Sequence, residues 1–291
     1  MISAFLYNGF VLGSIFATMA LGLTLVWGAF RMLNMAHGTL IMLGAYTAYW
    51  VTNTLHVNVI IGAVAGMIVA GAIGAAMYPL LMRPLIGRPG WDINVIVATV
   101  AFSIVGSQLV ELLFGPRTKS LPSIIRGGFR GPLDIYFSYQ TLIIPVMSLL
   151  CLGLMAYLLK YTRIGVTIRA VAQNMEGARI IGLPIGLTYV SVLAFGAMLA
   201  ALSGVFLASN FLFLTPLMSF EPMLVSLIII ILGGLGSLTG TVIAAYLAGM
   251  IESAVTIYVN AQWSLPALFL VVIIVLMVRP AGLFGVQERM S

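Results

Sequence analysis

Long apolar runs without a formal charge are the feature that most restricts how this chain can fold. Residues 4–30 contain no Asp, Glu, Lys or Arg, and neither do residues 32–82, which hold the two histidines, His37 and His56. A helix needs roughly 20 apolar residues to cross a hydrocarbon core about 30 Å thick. Because lipid offers no hydrogen bonds to an open backbone, such runs favour helices. The sequence therefore predicts an all-α, polytopic membrane helix bundle.

The composition excludes an ordinary soluble domain. Hydrophobic residues make up 62% of the chain and charged residues 7%, against about 25% charged residues in typical soluble domains. The thirteen Lys and Arg residues lie between apolar runs and form no basic stripe, so we interpret the net charge as membrane topology and expect no nucleic-acid partner. The single cysteine, Cys151, excludes an intrachain disulfide and a cysteine-based metal site.

Apolar segments of helical length lie at residues 4–30, 34–51, 59–82, 93–114, 140–159, 188–209, 223–257 and 265–278. The first run lacks a basic leader and a small-residue cleavage site, so we expect it to stay as a helix. The 34–51 segment opens with NMAHG and either crosses fully or dips in and returns. The 223–257 segment is interrupted by GGLGSLTG, which indicates two helices meeting at a break. We expect about eight or nine helical segments in one transmembrane domain, residues 1–291.

The connections set the expected orientation. Residues 83–92 are rich in proline and arginine, which is typical of a cytoplasmic turn. Simple alternation then places the loop 115–139 outside, although it is also basic. Residues 211–222 are predicted to form an external turn, and the chain is predicted to end on the cytoplasmic side after Arg279.

Residues 160–183 form the one long polar stretch of the chain. Apolar and polar side chains recur there at helical spacing on two different faces: Ile168, Val171, Met175 and Ala178 on one, and Arg169, Gln173 and Glu176 on the other. This pattern predicts an amphipathic surface helix. Its basic residues, clustered in a short loop, indicate the cytoplasmic side. The helix either contacts a soluble partner or lies at the lipid headgroups.

A glycine-broken short segment occurs in each half of the chain, NMAHGTLIMLG at 34–44 and ILGGLGSLTG at 231–240. Transporters often build their midplane from discontinuous helices in corresponding halves. The two segments therefore suggest an internal repeat.

Motifs for chemistry are missing. The sequence has no phosphate-binding loop, no His, Cys or carboxylate groups at metal-ligand spacing, and no HEXXH or GXSXG motif, so we expect neither ATP binding by that route nor enzyme activity. Glu111 and Glu252 are expected near helix ends, with a transport role as the alternative. Asn34 is predicted to cap a helix, and His37 either bonds to backbone or contacts substrate.

The glycines of 233–240 either let helices pack closely or line a pathway. The candidate residues for a translocation pathway are Asn34, His37, Gly38, Gly44, Gly233, Gly234 and Gly236. A bundle with so few charges has little capacity to drive transport by itself, so energy is expected to enter through the polar helix.

Four blocks in order along the chain resemble one known family: residues 22–46, 163–185, 231–245 and RPAGLFG at 279–285. They resemble the membrane permease subunits of bacterial high-affinity ABC importers for branched-chain amino acids. The resemblance covers nearly the whole chain. It is less specific for substrate, because permeases for urea, short amides and other amino acids look similar.

The resemblance implies a set of partners in the bacterial inner membrane: a second related permease, two ATPase subunits that hold ATP and Mg²⁺, and a periplasmic solute-binding protein. No cofactor is implied on this chain. Residues 160–187 become a cytoplasmic coupling region whose implied contacts are Arg163, Gly165, Arg169, Ala170, Gln173, Asn174, Glu176, Arg179 and Gly182. Met175 stands where many relatives carry proline, which puts the local cap geometry in question.

The implied mechanism is alternating access, in which the ATPases move a continuous helix of about 24 Å within residues 165–183. The loop 115–139 is expected to seat the binding protein. A self-sufficient secondary transporter or channel is the alternative from another class, and an intramembrane enzyme is disfavoured by the missing catalytic groups.

Overall fold

The computed structural model describes residues 2–125, 127–130 and 136–285. Within these ranges the regular structure is almost entirely helical. The helices are α1 (Ile2–Phe30), α2 (His37–Leu55), α3 (Val59–Met77), α4 (Trp91–Phe114), α5 (Tyr139–Tyr161), α6 (Arg163–Gln173), α7 (Met175–Ile180), α8 (Ile185–Phe211), α9 (Phe220–Gly233), α10 (Leu238–Tyr258) and α11 (Ser264–Val278). Two short antiparallel strands, β1 (Gly128–Arg130) and β2 (Tyr136–Ser138), pair with Gly128 opposite Ser138.

In the described part of the chain, seven helices are long and apolar enough to cross a membrane. They are α1, α3 with the π-helical turn Tyr78–Met82, α4, α5, α8, α10, and α11 with the short 3-10 turn before it. This confirms the predicted all-α polytopic bundle. The more polar helix α2 and the 14-residue helix α9 pack among these seven.

The helices run between two ends of the bundle. We call the end that carries α6 and α7 the basic end, and the end that carries residues 115–125 the loop end. Phe30, at the end of α1, stacks on Tyr189 near the start of α8 with 3.7 Å between ring centroids. Tyr7, near the start of α1, bonds through its hydroxyl to Thr141 at the start of α5. Helix α1 therefore runs from the loop end to the basic end.

Helix α1 is the centre of the bundle, and its side chains from Ile15 to Leu25 are buried. Small hydroxyl side chains join it to its neighbours. Thr18 donates to the Ser148 hydroxyl on α5 (2.9 Å), Ser148 donates to the Ser14 carbonyl (2.7 Å), and the Thr24 and Thr241 hydroxyls share a bond of 2.8 Å. Between helices in a membrane, such bonds and close packing replace the hydrophobic driving force.

Helices α2 and α9 both begin inside the bundle. The His37 ring Nε2 lies 2.9 Å from the carbonyl oxygen of Met19, in the middle of α1. The Ser219 hydroxyl, just before α9, lies 3.0 Å from that of Ser107 within α4. A Cβ on Gly38 would collide with the Ser219 carbonyl, so the two helix starts abut. The 34–51 segment is thus a helix that starts at mid-depth and emerges at the loop end.

The predicted external turn at 211–222 is wrong. Leu214 pairs with Lys119 at the loop end through two backbone bonds of 2.9 Å, and the chain then descends to Ser219 inside the bundle. The prediction failed because it treated every break between apolar runs as a surface turn. Here the break starts at the loop end with Leu214 and continues inward to Ser219, which is buried.

The two halves of the chain form an inverted repeat in which α1, α2, α3 and α4 correspond to α8, α9, α10 and α11. Three packing pairs match between the halves: α1 packs on α10 as α8 packs on α3, α2 packs on α3 as α9 packs on α10, and α2 packs on α4 as α9 packs on α11. Helices α1 and α8 contact each other, as do α2 and α9. The contacts of the two halves therefore follow the pattern of an internal repeat.

The ends of the corresponding helices also match. Arg31 after α1 and Leu212 after α8 adopt left-handed backbone angles, with φ of 53° and 55°. Asn58 and Ser237 cap α3 and α10 by accepting backbone N–H bonds through their side chains.

The segments chosen from the sequence as repeat partners were nevertheless the wrong pair. The break before α2 corresponds to residues 212–219, whereas the glycine-rich 233–240 corresponds to the break at 52–58. Glycine content misled the comparison because residues such as Arg31 and Leu212 take the same backbone conformation without glycine.

Close approach of α1 and α8 at Gly22 gives a test of this packing. A Cβ on Gly22 would lie 2.5 Å from the Gly196 carbonyl oxygen, whereas a Cβ on Gly153 of α5 meets nothing within 4 Å. We expect Gly22→Leu to destabilise the protein by about 3 kcal/mol or more, because overpacking forces two central helices apart. The check is the thermal midpoint of the detergent-extracted protein. Gly153→Leu is the matched control, and an equal shift in both variants would contradict the packing described.

Candidate functional site

The polar stretch forms two short helices, not the single helix predicted. Asn174 separates α6 from α7 with an extended backbone (φ −154°, ψ 101°). Its side-chain oxygen accepts the Gly177 N–H at 2.8 Å and caps α7, as the Thr162 hydroxyl caps α6 through Gly165 N–H at 3.2 Å. An Asn side chain competes with helix continuation in this way. The predicted lever of about 24 Å becomes segments of about 16 Å and 9 Å.

Met175 is the first residue of α7. This is the helical position that proline tolerates best, because its N–H has no partner inside the helix. The Asn174 side chain supplies the cap of α7 by accepting the Gly177 N–H.

The apolar face of the two helices packs onto the bundle as predicted. Ile168 and Val171 are buried, with 6% and 3% of their surface exposed, and so is Ala178 at 3%. Helix α6 contacts α1, α5 and α8, and α7 contacts α8. A Cβ on Gly165 would collide with carbonyl oxygens at the end of α5, so the turn into α6 is tight.

The opposite face is open and carries charge. The exposed members of the predicted coupling set are Arg163, Arg169, Gln173, Asn174, Glu176, Arg179 and Gly182, whereas Gly165 is buried and Ala170 half-buried. Large apolar side chains are exposed beside them: Ile164 (46%), Val166 (54%), Ile180 (85%) and Ile181 (72%). We call this the α6–α7 surface. Exposed apolar side chains rimmed by polar groups mark contact sites for proteins or membranes.

Basic side chains concentrate at the same end of the bundle. Three of them, Arg163, Arg169 and Arg179, lie in α6 and α7, and the others lie at or next to helix ends there: Arg31, Arg83, Arg88, Lys160 and Arg279. In membrane proteins an excess of Lys and Arg in short loops favours the cytoplasmic side.

The predicted pathway residues of the first half lie deep inside the bundle. Asn34 is 2% exposed and His37 1%, and Gly38 and Gly44 are also buried. The Asn34 side chain accepts the Ala36 N–H at 3.1 Å and forms a turn before α2. It does not cap the helix, whose N-terminal residue Ala36 has no side-chain cap. A Cβ on Gly44 would collide with Ala201, so this glycine lies at a helix contact.

The predicted glycines of the second half lie at the basic end. Gly233 and Gly234 are buried and Gly236 is exposed. The RPAGLFG block closes beneath them, because Leu283 N–H donates to the Leu232 carbonyl (2.9 Å) and Phe284 N–H to that of Gly233 (3.1 Å). Two of the blocks that carry the family resemblance are therefore one structural unit. These contacts show that Gly233 and Gly234 pack closely against neighbouring backbone. A role of the glycines in a pathway stays a prediction.

The acidic residues differ in depth. Glu111 lies three residues before the end of α4, and Glu252 precedes Ser253, whose hydroxyl donates to the Phe5 carbonyl near the start of α1. Both therefore lie near the loop end, as expected from the sequence. Glu221 lies in the first turn of α9, two residues after the buried Ser219, and is exposed on the surface of the chain. Sequence reasoning missed it because 211–222 was taken as an external turn.

One signal in the sequence was available for Glu221. Only about ten apolar residues separate it from the glycine break at Gly233, roughly half of what a crossing needs. A helix this short that ends at one membrane face must begin within the membrane.

A cavity of about 380 Å³ lies between α2, α3 and α4. Its lining is mostly apolar, with Tyr46 and Thr47 as the polar exceptions. Among the described residues, no group of three or more His, Cys, Asp or Glu side chains could hold a metal ion. Neither observation points to catalysis.

The bundle has the contact pattern of an inverted repeat, two helices, α2 and α9, that begin near its centre, and a polar surface at one end. This architecture is typical of the membrane subunit of a transport system. Residues 5–279 match the family model described as the permease component of branched-chain amino acid transport systems. The chain belongs to this family of permease subunits, which are multi-pass inner-membrane transport proteins and not enzymes.

Named relatives cover nearly the same length. The high-affinity branched-chain amino acid permease protein LivH of Salmonella typhimurium is 26% identical over 295 residues, covering 97% of this chain and 95% of the relative. The permease protein BraD of Pseudomonas aeruginosa is 27% identical over 299 residues, with 97% and 95% covered. A probable LivH protein of Methanocaldococcus jannaschii is 26% identical over 315 residues, with 98% and 93% covered.

The cap at Asn174 gives a local prediction. Removing it by Asn174→Ala should destabilise α7 by about 1 kcal/mol, the usual worth of an N-cap, and leave α6 in place. Amide hydrogen exchange across residues 175–181 should then be about five times faster, since 1 kcal/mol is close to that factor. Asn53→Ala, which removes an exposed side-chain bond to the Tyr49 carbonyl, is the control. Unchanged exchange in α7 would mean that Asn174 does not set the break.

Proposed function

We propose that this chain is the permease subunit of an ABC importer for branched-chain amino acids, delivered by a periplasmic binding protein and moved by alternating access. A second related permease and two ATPase subunits, which hold the ATP and Mg²⁺, complete the complex. The observation that carries the proposal is the α6–α7 surface, a charged and partly apolar face held rigidly on a bundle that otherwise has few charges.

The α6–α7 surface suits a contact with the ATPase subunits. In this proposal residues 160–187 are the coupling region, and the groups that touch the ATPase are the exposed ones, Arg163, Arg169, Gln173, Glu176 and Arg179. Gly165 and Ala170 act by shaping the turn and the packing, since they face the bundle. Apolar anchors surrounded by charges are the usual composition of such interfaces.

Movement of this surface has a direct route into the bundle. Helix α6 packs on α1, α5 and α8, and α1 and α8 in turn pack on α10 and α3. A lateral push on α6 therefore displaces the central helices of both halves together. This supports rocking of a rigid bundle in place of bending of a single lever, because closely packed cores transmit displacement.

The pathway is proposed to pass the centre of the bundle, where α2 and α9 begin and where Asn34, His37, Gly38 and Gly44 lie. Gly233, Gly234 and Gly236 are proposed to close its inner end. Nine membrane-embedded helical segments follow if α2 and α9 are counted with the seven apolar helices, all in one permease domain over residues 1–291.

Orientation follows from charge. The basic end is proposed to face the cytoplasm, where the ATPase subunits reside. The loop end, with residues 115–125 and the β1–β2 hairpin, is then proposed to seat the binding protein outside. The rest of that loop, residues 126 and 131–135, lies outside the described residues.

Replacing Arg169 and Glu176 together tests the proposed coupling. Removing two exposed contacts should weaken the ATPase contact by about 1.4 kcal/mol or more and lower ATP-driven leucine uptake about tenfold. Neither side chain is buried, so the permease should still accumulate in the membrane. Uptake and ATP hydrolysis are measured in vesicles that contain the complete complex.

Arg88→Ala is the matched control, since Arg88 is also exposed at the basic end but lies outside α6 and α7. Normal coupled uptake in the double variant would refute the coupling role. A gradient-driven flux through this chain without ATPases would favour the secondary-transporter alternative. Uptake of urea or a short amide in place of leucine would change the substrate assignment alone.

A further inference from the structure

Glu221 has an unusual position for a carboxylate, because it is exposed on the surface of this chain at mid-depth in the bundle. Ser219, two residues earlier, bonds to Ser107 within α4 and abuts Gly38. Gly38 follows His37, which contacts the middle of α1 at Met19. These contacts to α4 and α2 place the start of α9 within the bundle, inward of the Leu214–Lys119 pair at the loop end.

The surroundings of Glu221 on this surface are apolar. Leu217 is 78% exposed and Phe220 70%. An ionised side chain at this depth is costly against lipid, so such residues face a water-filled cavity or a bundle interior and mark ion or substrate pathways.

We propose that the face of this chain that carries Glu221 lines an aqueous passage, and that the Glu221 carboxylate binds the ammonium group of the amino acid moving through it. The identity of the cation rests on the proposed function, whereas the aqueous passage does not.

The chemistry of the Glu221 carboxylate and an amino-acid ammonium group supports this assignment. A carboxylate accepts short, charge-assisted hydrogen bonds from an ammonium group, and the apolar side chains of Leu217 and Phe220 offer contact for a branched aliphatic side chain. An amino acid with an apolar side chain carries both features, ammonium and hydrocarbon, whereas urea carries neither.

The single native cysteine makes the passage directly testable. In a Cys151→Ser background, Glu221→Cys is labelled with a membrane-impermeant, positively charged methanethiosulfonate reagent in membranes that contain the complex. The control is Ile68→Cys, which is 60% exposed in the middle of α3. We expect labelling at position 221 to be about 100-fold faster than at position 68, since a thiolate forms readily only in water. Equally slow labelling at both positions would overturn the proposal that this face lines an aqueous passage.

The charge role is tested separately with Glu221 retained. In the same background, Phe220→Cys is labelled with cationic and anionic reagents, with either Glu221 or Glu221→Gln beside it. Loss of the carboxylate should lower the cationic-to-anionic rate ratio about three- to tenfold, as expected for a unit charge a few ångströms away in a partly aqueous site. An unchanged ratio would show that Glu221 does not attract cations.

The KM for leucine uptake tests whether Glu221 binds the ammonium group of the substrate, separately from whether the passage exists. Glu221→Gln should raise the KM for leucine uptake by the complete complex about tenfold, a loss typical of one charged contact, whereas Glu111→Gln at the loop end should leave it unchanged. An unchanged KM in Glu221→Gln with an altered labelling ratio would overturn substrate binding and keep the passage. Absence of leucine uptake by the native complex would refute the proposed substrate, with the labelling results unaffected.

Discussion

Hydrogen-bond satisfaction inside the bilayer is the constraint on which the rest of this structure depends. A chain with 7% charged residues has few strong polar contacts to hold its helices together, so short side chains do that work. Ser14, Thr18 and Ser148 join α1 to α5, and Thr24 and Thr241 join α1 to α10. These bonds and the glycine contacts bring backbones close, and they make α1 the fixed centre around which both halves pack.

In the proposed mechanism, the same close packing carries the work done by a partner to the centre of the bundle. Helix α6 lies directly on α1, α5 and α8, so force applied at the α6–α7 surface reaches the centre without an intervening flexible segment. The break at Asn174 changes how this happens. A continuous lever would bend along its length, whereas a short helix with buried Ile168 and Val171 moves with the bundle to which it is bound.

The inverted repeat places the starts of two helices, α2 and α9, near the centre of the bundle. Because α2 and α9 start where the two halves meet, two sets of helix N-terminal backbone groups and one exposed carboxylate, Glu221, lie at a depth where lipid offers no solvation. In the proposed function, polar groups in the interior of this bundle line the pathway, and polar groups at its basic end contact the soluble partners.

The sequence by itself determined the membrane class, the positions of most helices, the amphipathic face of residues 160–183 and the family resemblance, because charge-free runs and helical spacing are local properties. It did not determine that this stretch breaks at Asn174, that 212–219 turns inward, or which segments pair in the repeat. Those outcomes depend on contacts between residues distant in sequence, such as Ser107 with Ser219 and Gly38 with Ser219. Only the tertiary structure fixes such contacts, since depth in a membrane is set by neighbouring helices and not by local composition.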